Sequence, residues 1–400
     1  MSAGVSASNF FSGQLPVSQL TSLPLASVYP YSTIAAMSAP TRNSFRPGRG
    51  AVSNPAGRFE STRAEAVDDG WGSLDEELPP LETTVRPEPA RSIISRNKSP
   101  DIPFDQSINP YRGCEHGCIY CYARPSHGYL NLSPGLDFET QLFYKPDAAR
   151  LLEKELAAPG YRCTPITIGA NTDPYQPIER EYRVTRSIIE VLSKYRHPFS
   201  IITKGAMIER DVDLLAEMAQ FNLVAVLVSV TTLDNDLKRT LEPRTASPAA
   251  RLRAIRTLSK AGIPVRVMVA PVIPVLTDAE LERILEAAAE AGATSAGYVL
   301  LRLPYELKDL FREWLDEHEP LKAKHVLTRM QAMRSGRDYD SRWGHRQRGD
   351  GAYAELLGMR FKAACARYGL NGGAAFVHNV ALFRAPGNTA ASSPEQLSLI

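Results

Sequence analysis

The chain is predicted to be α/β, with parallel strands curled into an open barrel of six β–α units. Three observations carry this. From about residue 109 to residue 305, short apolar segments of strand length alternate with amphipathic segments of helix length. The connections between them are short, as in repeated β–α units. The units number about six, too few to close an eight-stranded barrel.

In chain order, Pro165–Gly169 (PITIG) reads as a short buried strand and Glu181–Tyr195 as a helix. Phe199–Thr203 (FSIIT) is a strand and Asp211–Ala219 a helix. Leu223–Val230 (LVAVLVSV) is a strand, and Ala249–Ala261 a helix stopped by Gly262. Val265–Ala270 is a strand, after which Thr277 with Glu280 reads as a capping box opening a helix through Ala291. Ala296–Leu301 is the last strand of the series.

The flanks have a different texture. Residues 1–41 contain no Asp, Glu, Lys, Arg or His and are rich in Ser and Pro, so they are expected to be disordered. They lack the positive start of a secretory signal and the arginines of a transit peptide. Met37 offers a second candidate start after Met1. Residues 42–105 read as an extended arm or linker, with Trp71 as a candidate anchor. Residues 106–310 form the core domain, 311–382 a helical segment and 383–400 a flexible tail. With 46 basic against 44 acidic residues the net charge is +2, so any nucleic-acid surface has to be a local patch. No apolar run approaches the roughly 18 residues of a membrane span, and a cytoplasmic location is expected.

The sharpest signal is Gly113-Cys114-Glu115-His116-Gly117-Cys118-Ile119-Tyr120-Cys121-Tyr122, a C-x3-C-x2-C spacing. Three thiolates on one tight loop can hold three irons of a cubane cluster and leave the remaining iron open to a chelating ligand. The alternative is a structural zinc site with His116 or His127 as fourth ligand, although such sites usually pair two C-x2-C units. Cys163 and Cys365 stand alone and read as buried small hydrophobes.

This loop, set before a run of β–α units, resembles that of the radical S-adenosylmethionine (SAM) superfamily. Within it the chain is similar to the group related to spore photoproduct lyase. The supporting stretches are IGANTDPYQPIE from Ile168, ITKG from Ile202, VSVT from Val228, LEPR from Leu241 and VAPVIP from Val269.

The resemblance implies a partial barrel of radical SAM type. It also implies a 4Fe-4S cluster on Cys114, Cys118 and Cys121, and SAM held by Tyr120, Thr172, Lys204 and Ser229; Asn171 and Asp173, which follow the strand PITIG, are placed at its carboxyl end for the same role. Lys204 would face the SAM carboxylate, and Tyr122 would belong to a radical relay. The implied activity is reductive cleavage of SAM to a 5′-deoxyadenosyl radical, with a flavodoxin or ferredoxin as electron donor. The implied substrate is nucleic acid, in repair or base modification; a peptide, protein or small metabolite is the alternative. Spore photoproduct lyases carry a hydrogen-donating cysteine where this chain has Asn171, which argues against thymine-dimer reversal by the same route. A non-enzymatic, zinc-stabilised binding protein is the third alternative.

Two further features concern partners. Residues 329–348 (RMQAMRSGRDYDSRWGHRQR) hold six arginines against two aspartates, interleaved with Tyr339 and Trp343. They read as a DNA or RNA contact or as a cation-rich cap over the barrel mouth. Gln396–Ile400 (QLSLI) resembles the pentapeptide that binds the bacterial sliding clamp. Arg244 is read as an anion ligand or as a partner of Glu242, and Arg251, Arg253 and Arg256 as a solvated helix face.

Overall fold

The computed structural model describes residues 46, 48–60 and 81–387. The expectations for residues 1–41, for Trp71 and for Gln396–Ile400 lie outside the described residues. Ten strands are found among the latter: β1 (Thr84–Pro87), β2 (Ile94–Arg96), β3 (Gln106–Ile108), β4 (Tyr111–Arg112), β5 (Gln141–Tyr144), β6 (Ile166–Ile168), β7 (Phe199–Thr203), β8 (Val224–Ser229), β9 (Val265–Val272) and β10 (Ser295–Leu300).

Seven strands form the main sheet in the order β10-β9-β8-β7-β6-β3-β2. The six from β3 to β10 are parallel, and β2 runs antiparallel to β3 at one end. The sheet is therefore open, with six parallel strands, as the count of β–α units predicts. The first of its parallel strands is β3, which leads through β4 into the cysteine loop. β1, β5 and β4 make a second, small sheet.

Strand periodicity sorts side chains between two environments. In β8 and β9, Val226, Val228, Val267 and Val269 are buried in the apolar core. Leu227 and Ser229, then Met268 and Ala270, two apart on each strand, face a cavity on the other side of the sheet. Helices Val184–Lys194, Val212–Ala219, Pro248–Lys260 and Leu281–Glu290 follow β6 to β9 in turn. The third is framed as its sequence suggests. Ser247 accepts the Ala250 N–H at 3.2 Å with Pro248 in the first turn. Gly262 ends it at φ +76°, where Ile263 N–H returns to the Leu258 carbonyl at 3.1 Å.

Several local expectations are corrected. Thr277 and Glu280 make no capping box. Thr277 Oγ1 accepts the Ile273 N–H at 2.8 Å, and Glu280 accepts the Leu233 N–H at 3.0 Å. The helix begins at Leu281, after a 3-10 turn. Arg251 is buried rather than solvated, whereas Arg253 and Arg256 are exposed. Cys163 is half-buried, while Cys365 is buried as expected. The stretch expected as an arm supplies β1 and β2, strands of both sheets. Helices Leu307–His318, Pro320–Ala332 and Ala352–Arg367 make up most of the C-terminal segment, and Arg360 ties it to the barrel by pairing with Glu282 at 2.7 Å.

Two buried histidines make the fold acid-sensitive. His197 Nδ1 donates to the Pro198 carbonyl at 3.0 Å, and its Nε2 lies 2.8 Å from the Tyr161 hydroxyl. His127 Nε2 bonds the Gln141 carbonyl at 2.9 Å. Burial holds both near pKa 4 against an ordinary 6.5. A folded pKa below the unfolded one stabilises the protein fully above pH 6.5 and progressively less as pH falls towards 4. Denaturant titrations should show ~3 kcal/mol lost per histidine over that interval. His197→Gln should fall less steeply than the parent, and parallel profiles would disprove the assignment.

Candidate active site

The cysteine loop leaves β4 through Gly113 at φ +71° and turns again at Gly117, φ +66°. Both need glycine, because a Cβ would lie 2.6 Å from Leu142 Cδ2 at the first and 2.7 Å from Glu139 Oε2 at the second. Between them the backbone coils on itself. Gly117 N–H bonds the Cys114 carbonyl, Cys121 N–H the Cys118 carbonyl (each 3.2 Å), and Arg124 N–H the Cys121 carbonyl (3.1 Å). This succession of turns sets Cys114, Cys118 and Cys121 in the wall of one cavity.

Groups from outside the loop satisfy its remaining backbone. The Arg124 guanidinium, fully buried, donates to the carbonyls of Gly117 (3.0 Å), Cys118 (2.9 Å), Pro134 (3.1 Å) and Gly135 (2.9 Å), and pairs with Glu139. Gln176 Oε1 accepts the Glu115 N–H at 2.9 Å, and its Nε2 donates to the Gly113 carbonyl at 3.2 Å. Ile119 N–H bonds the Leu241 carbonyl and Arg244 N–H the His116 carbonyl. Arg244 pairs with Glu115 at 2.7 Å, not with Glu242.

The cavity, of about 510 Å³, lies on the concave side of the sheet against the cysteine loop. Of the residues expected to hold SAM, Tyr120, Asn171, Asp173, Lys204 and Ser229 all line it, whereas Thr172 does not. Thr172 is buried with its hydroxyl donated to the Tyr111 carbonyl at 2.8 Å. The Asp173 carboxylate is already engaged by Thr203 Oγ1 (2.6 Å), the backbone N–H groups of Lys204 (2.6 Å) and Tyr175 (2.9 Å), and His116 Nδ1 (3.3 Å). Burial alone would raise its pKa, but these partners hold it at about 2.

Lys204 Nζ lies 5.6 Å from the Tyr120 ring centre. The Tyr120 hydroxyl donates to Glu242 and is 3.2 Å from Thr231 Oγ1. Arg251 supports this corner, pairing with Glu242 and donating to the Ser229 carbonyl at 3.1 Å. Burial pushes Glu242 above the usual carboxylate range, with Arg251 pulling against it. Tyr122 sits at the exposed side, its hydroxyl donated to the Ala170 carbonyl and its ring 4.9 Å from the Arg302 guanidinium.

Burial pushes all three loop thiols up, Asp173 adding to this at Cys114 and Glu242 at Cys118, while Lys204 opposes it at Cys118 and Cys121. Thiols so placed ionise readily only beside a positive metal core. No three His, Cys, Asp or Glu side chains among the described residues converge as ligands of one ion would. His127 bonds the Gln141 carbonyl through Nε2 and does not line the cavity, whereas His116 lines it and meets Asp173 through Nδ1. Neither Cys163 nor Cys365 lines the cavity. Three cysteines in the wall of one cavity, with neither of the other two lining it, suit a cluster that keeps an open corner.

The arginine-rich segment turns Arg334 and Arg346 inward and leaves Arg329, Arg337, Arg342 and Arg348 exposed. Arg334 is buried and donates to the Leu301 carbonyl, and Arg342 pairs with Asp340 at 2.6 Å. Arg348 lies 3.9 Å from the Tyr298 ring centre and Arg329 lies 5.2 Å from that of Tyr353. Arg346 donates to Asp101 Oδ2 and to Ser99 Oγ, both at 2.6 Å, and Gln347 Nε2 to the Asp101 carbonyl at 3.0 Å. Arg346, Gln347, Asn97 and Ile102–Phe104 all contribute to the cavity wall. The segment thus caps the barrel mouth and joins the β2–β3 connection to the β10 side.

Comparisons with known proteins agree with this geometry. The profile of the radical SAM superfamily matches residues 108–288, from the end of β3 to the helix after β9. An uncharacterized protein of Mycobacterium tuberculosis is 42% identical over 229 residues, 56% of this chain and 67% of the relative. One of Methanocaldococcus jannaschii is 30% identical over 191 residues, 48% of this chain and 68% of the relative. The fold is shared with spore photoproduct lyase complexed with dinucleoside spore photoproduct, at a TM-score of 0.51 and 15% identity, over 72% of this chain and 80% of that one. No described helix is long and apolar enough to cross a membrane. The cysteine loop, the open parallel sheet that carries it and the extent of these matches lead to one assignment: the chain belongs to the radical SAM superfamily, whose enzymes work with a 4Fe-4S cluster and SAM.

Proposed function

We propose that Cys114, Cys118 and Cys121 hold the 4Fe-4S cluster, and that the adjoining cavity binds SAM and a nucleic-acid substrate carrying a damaged or modified base. The observation that carries the reading is the gathering of three thiols, two of them buried, and the Lys204 ammonium in one cavity beside the ends of parallel strands. With both groups bound and an electron from a flavodoxin or ferredoxin, the site supplies a 5′-deoxyadenosyl radical that abstracts hydrogen from the substrate.

The chain's own residues position the partners and keep water out. Lys204 Nζ, whose only described contact is the Tyr120 ring, is the cation for the SAM carboxylate. Ser229 presents its side chain from a backbone that Arg251 fixes. Asp173 acts through others, aligning the Lys204 backbone and His116. Thr172, turned onto Tyr111, holds the loop after β6 instead of touching SAM. Tyr122 faces the substrate side with Arg302. Asn171 has no S–H to return a hydrogen atom, so the reading does not include dimer reversal through a cysteine.

The nucleic-acid part rests on the fold shared with spore photoproduct lyase and on Arg96 and Arg302, cavity-lining cations with no ion pair among the described residues. Within residues 329–348, Arg334, Arg342 and Arg346 are already paired or bonded, which weakens that segment as support and favours the second reading, a peptide or small-metabolite substrate.

Three outcomes are expected. Cys118→Ala, reconstituted without oxygen, should lose the cluster's iron and sulfide, and with dithionite and SAM should form no 5′-deoxyadenosine; full iron in this variant would sink the ligand assignment. Lys204→Ala should keep its iron but bind SAM roughly 10- to 100-fold more weakly, the loss of one charge-assisted contact worth about 1.5–3 kcal/mol. Single-stranded DNA or RNA should be retained at low salt and released as salt rises. Absence of binding at low salt would move the substrate to the second reading.

A further inference from the structure

The segment Arg49–Asn54 lies well before the region matched by the superfamily profile, yet it packs against the cysteine loop. Its closest approach is backbone to backbone. A Cβ on Gly50 would sit 1.8 Å from the Gly117 carbonyl oxygen, 3.0 Å from the Gly117 carbonyl carbon and 3.3 Å from Ile119 N. Gly50 has an ordinary extended or helical φ, so this is a demand for space and not for backbone freedom.

Glu139 locks the approach. Its Oε2 accepts the Gly50 N–H at 3.0 Å and its Oε1 the Ala51 N–H at 2.8 Å. The same carboxylate pairs with Arg124, which holds the carbonyls of Gly117 and Cys118. Arg49, also buried, donates to the Glu139 carbonyl at 3.2 Å and to Thr83 Oγ1 at 3.0 Å. The Thr83 hydroxyl in turn donates to Glu115 Oε1 at 2.9 Å. The contacts therefore reach both ends of the span between Cys114 and Cys118, at Glu115 and at Gly117.

We propose that Arg49, Gly50, Thr83 and Glu139 are positioning residues for the iron–sulfur cluster: a wedge that holds the Cys114–Cys118 span in its ligand conformation before the cluster arrives. A loop already ordered loses less entropy on binding, and partners that orient first ligands commonly govern affinity by one to two orders of magnitude. The proposal rests on the ligand reading of the three cysteines.

The test uses the full-length chain in four variants: Gly50→Val, Glu139→Gln, Thr83→Val and Cys118→Ala. Each is reconstituted anaerobically and followed for iron and sulfide content, the rate of iron loss to a chelator, the electron paramagnetic resonance of the reduced cluster and its midpoint potential. Circular dichroism and the urea midpoint report the fold. Gly50→Val and Glu139→Gln should lose iron at least tenfold faster than the parent, with altered resonance and potential. Thr83→Val, which removes one half-buried hydroxyl, should do so severalfold faster. Should Gly50→Val not accumulate as folded protein, the other two wedge variants decide on the same terms. Parental iron retention, resonance and potential in the folded wedge variants would overturn the proposal. If Cys118→Ala loses its cluster while the wedge variants keep theirs, the wedge alone is wrong. If Cys118→Ala keeps a full cluster, the ligand reading falls and the wedge with it.

Discussion

Three thiols on one short loop must share a buried cavity, and the backbone that presents them cannot satisfy its own polar groups while doing so. Arg124 resolves this constraint. One guanidinium takes up four carbonyls around the loop, and Glu139 compensates its charge where neither group reaches solvent. A buried pair of this kind gives little net stability, but breaking it would strand a charge in the interior. Its worth lies in fixing one loop conformation out of many.

Around that loop the barrel supplies walls of different character. The ends of β7 and β8 bring Lys204 and Ser229, and the connection after β6 brings Asp173. That last connection is mostly scaffold: Gln176 fastens it to the cysteine loop and Thr172 to β4. Behind the Tyr120 corner, Glu242 and Arg251 form a second buried pair that reaches the backbone of Ser229. The cavity's polar edge is thus held by ion pairs and its floor by apolar strand residues such as Leu227 and Met268.

Much of the fold was legible because it depends on local pattern. Strand alternation in FSIIT and LVAVLVSV, the stop at Gly262 and the cysteine spacing are properties of a few adjacent residues, and each appears in the structure. What was not legible depends on partners that no local pattern names, some of them far along the chain. Arg251 looks like a solvated helix residue until Glu242 comes beneath it, and Arg244 turns to Glu115 instead of its neighbour Glu242. Thr277 and Glu280 have the spacing of a capping box, but each finds another backbone partner. The arginines of 329–348 resemble a phosphate-binding run because the aspartates and aromatic rings that occupy them are not all nearby in sequence. Gly50 gives no sign in sequence of the carbonyl it will meet.

The contact between Asp101 and Arg346 joins positions 245 residues apart. Because Arg346 belongs to the cavity wall and Asp101 adjoins the wall residues Ile102–Phe104, the site is unfinished until the chain has been made as far as Gln347. The thiol loop emerges early, yet one side of its enclosure waits until the ribosome has passed Gln347 and that stretch has folded back. A chain ending before Arg346 would therefore carry all three cysteines but lack that side of the enclosure.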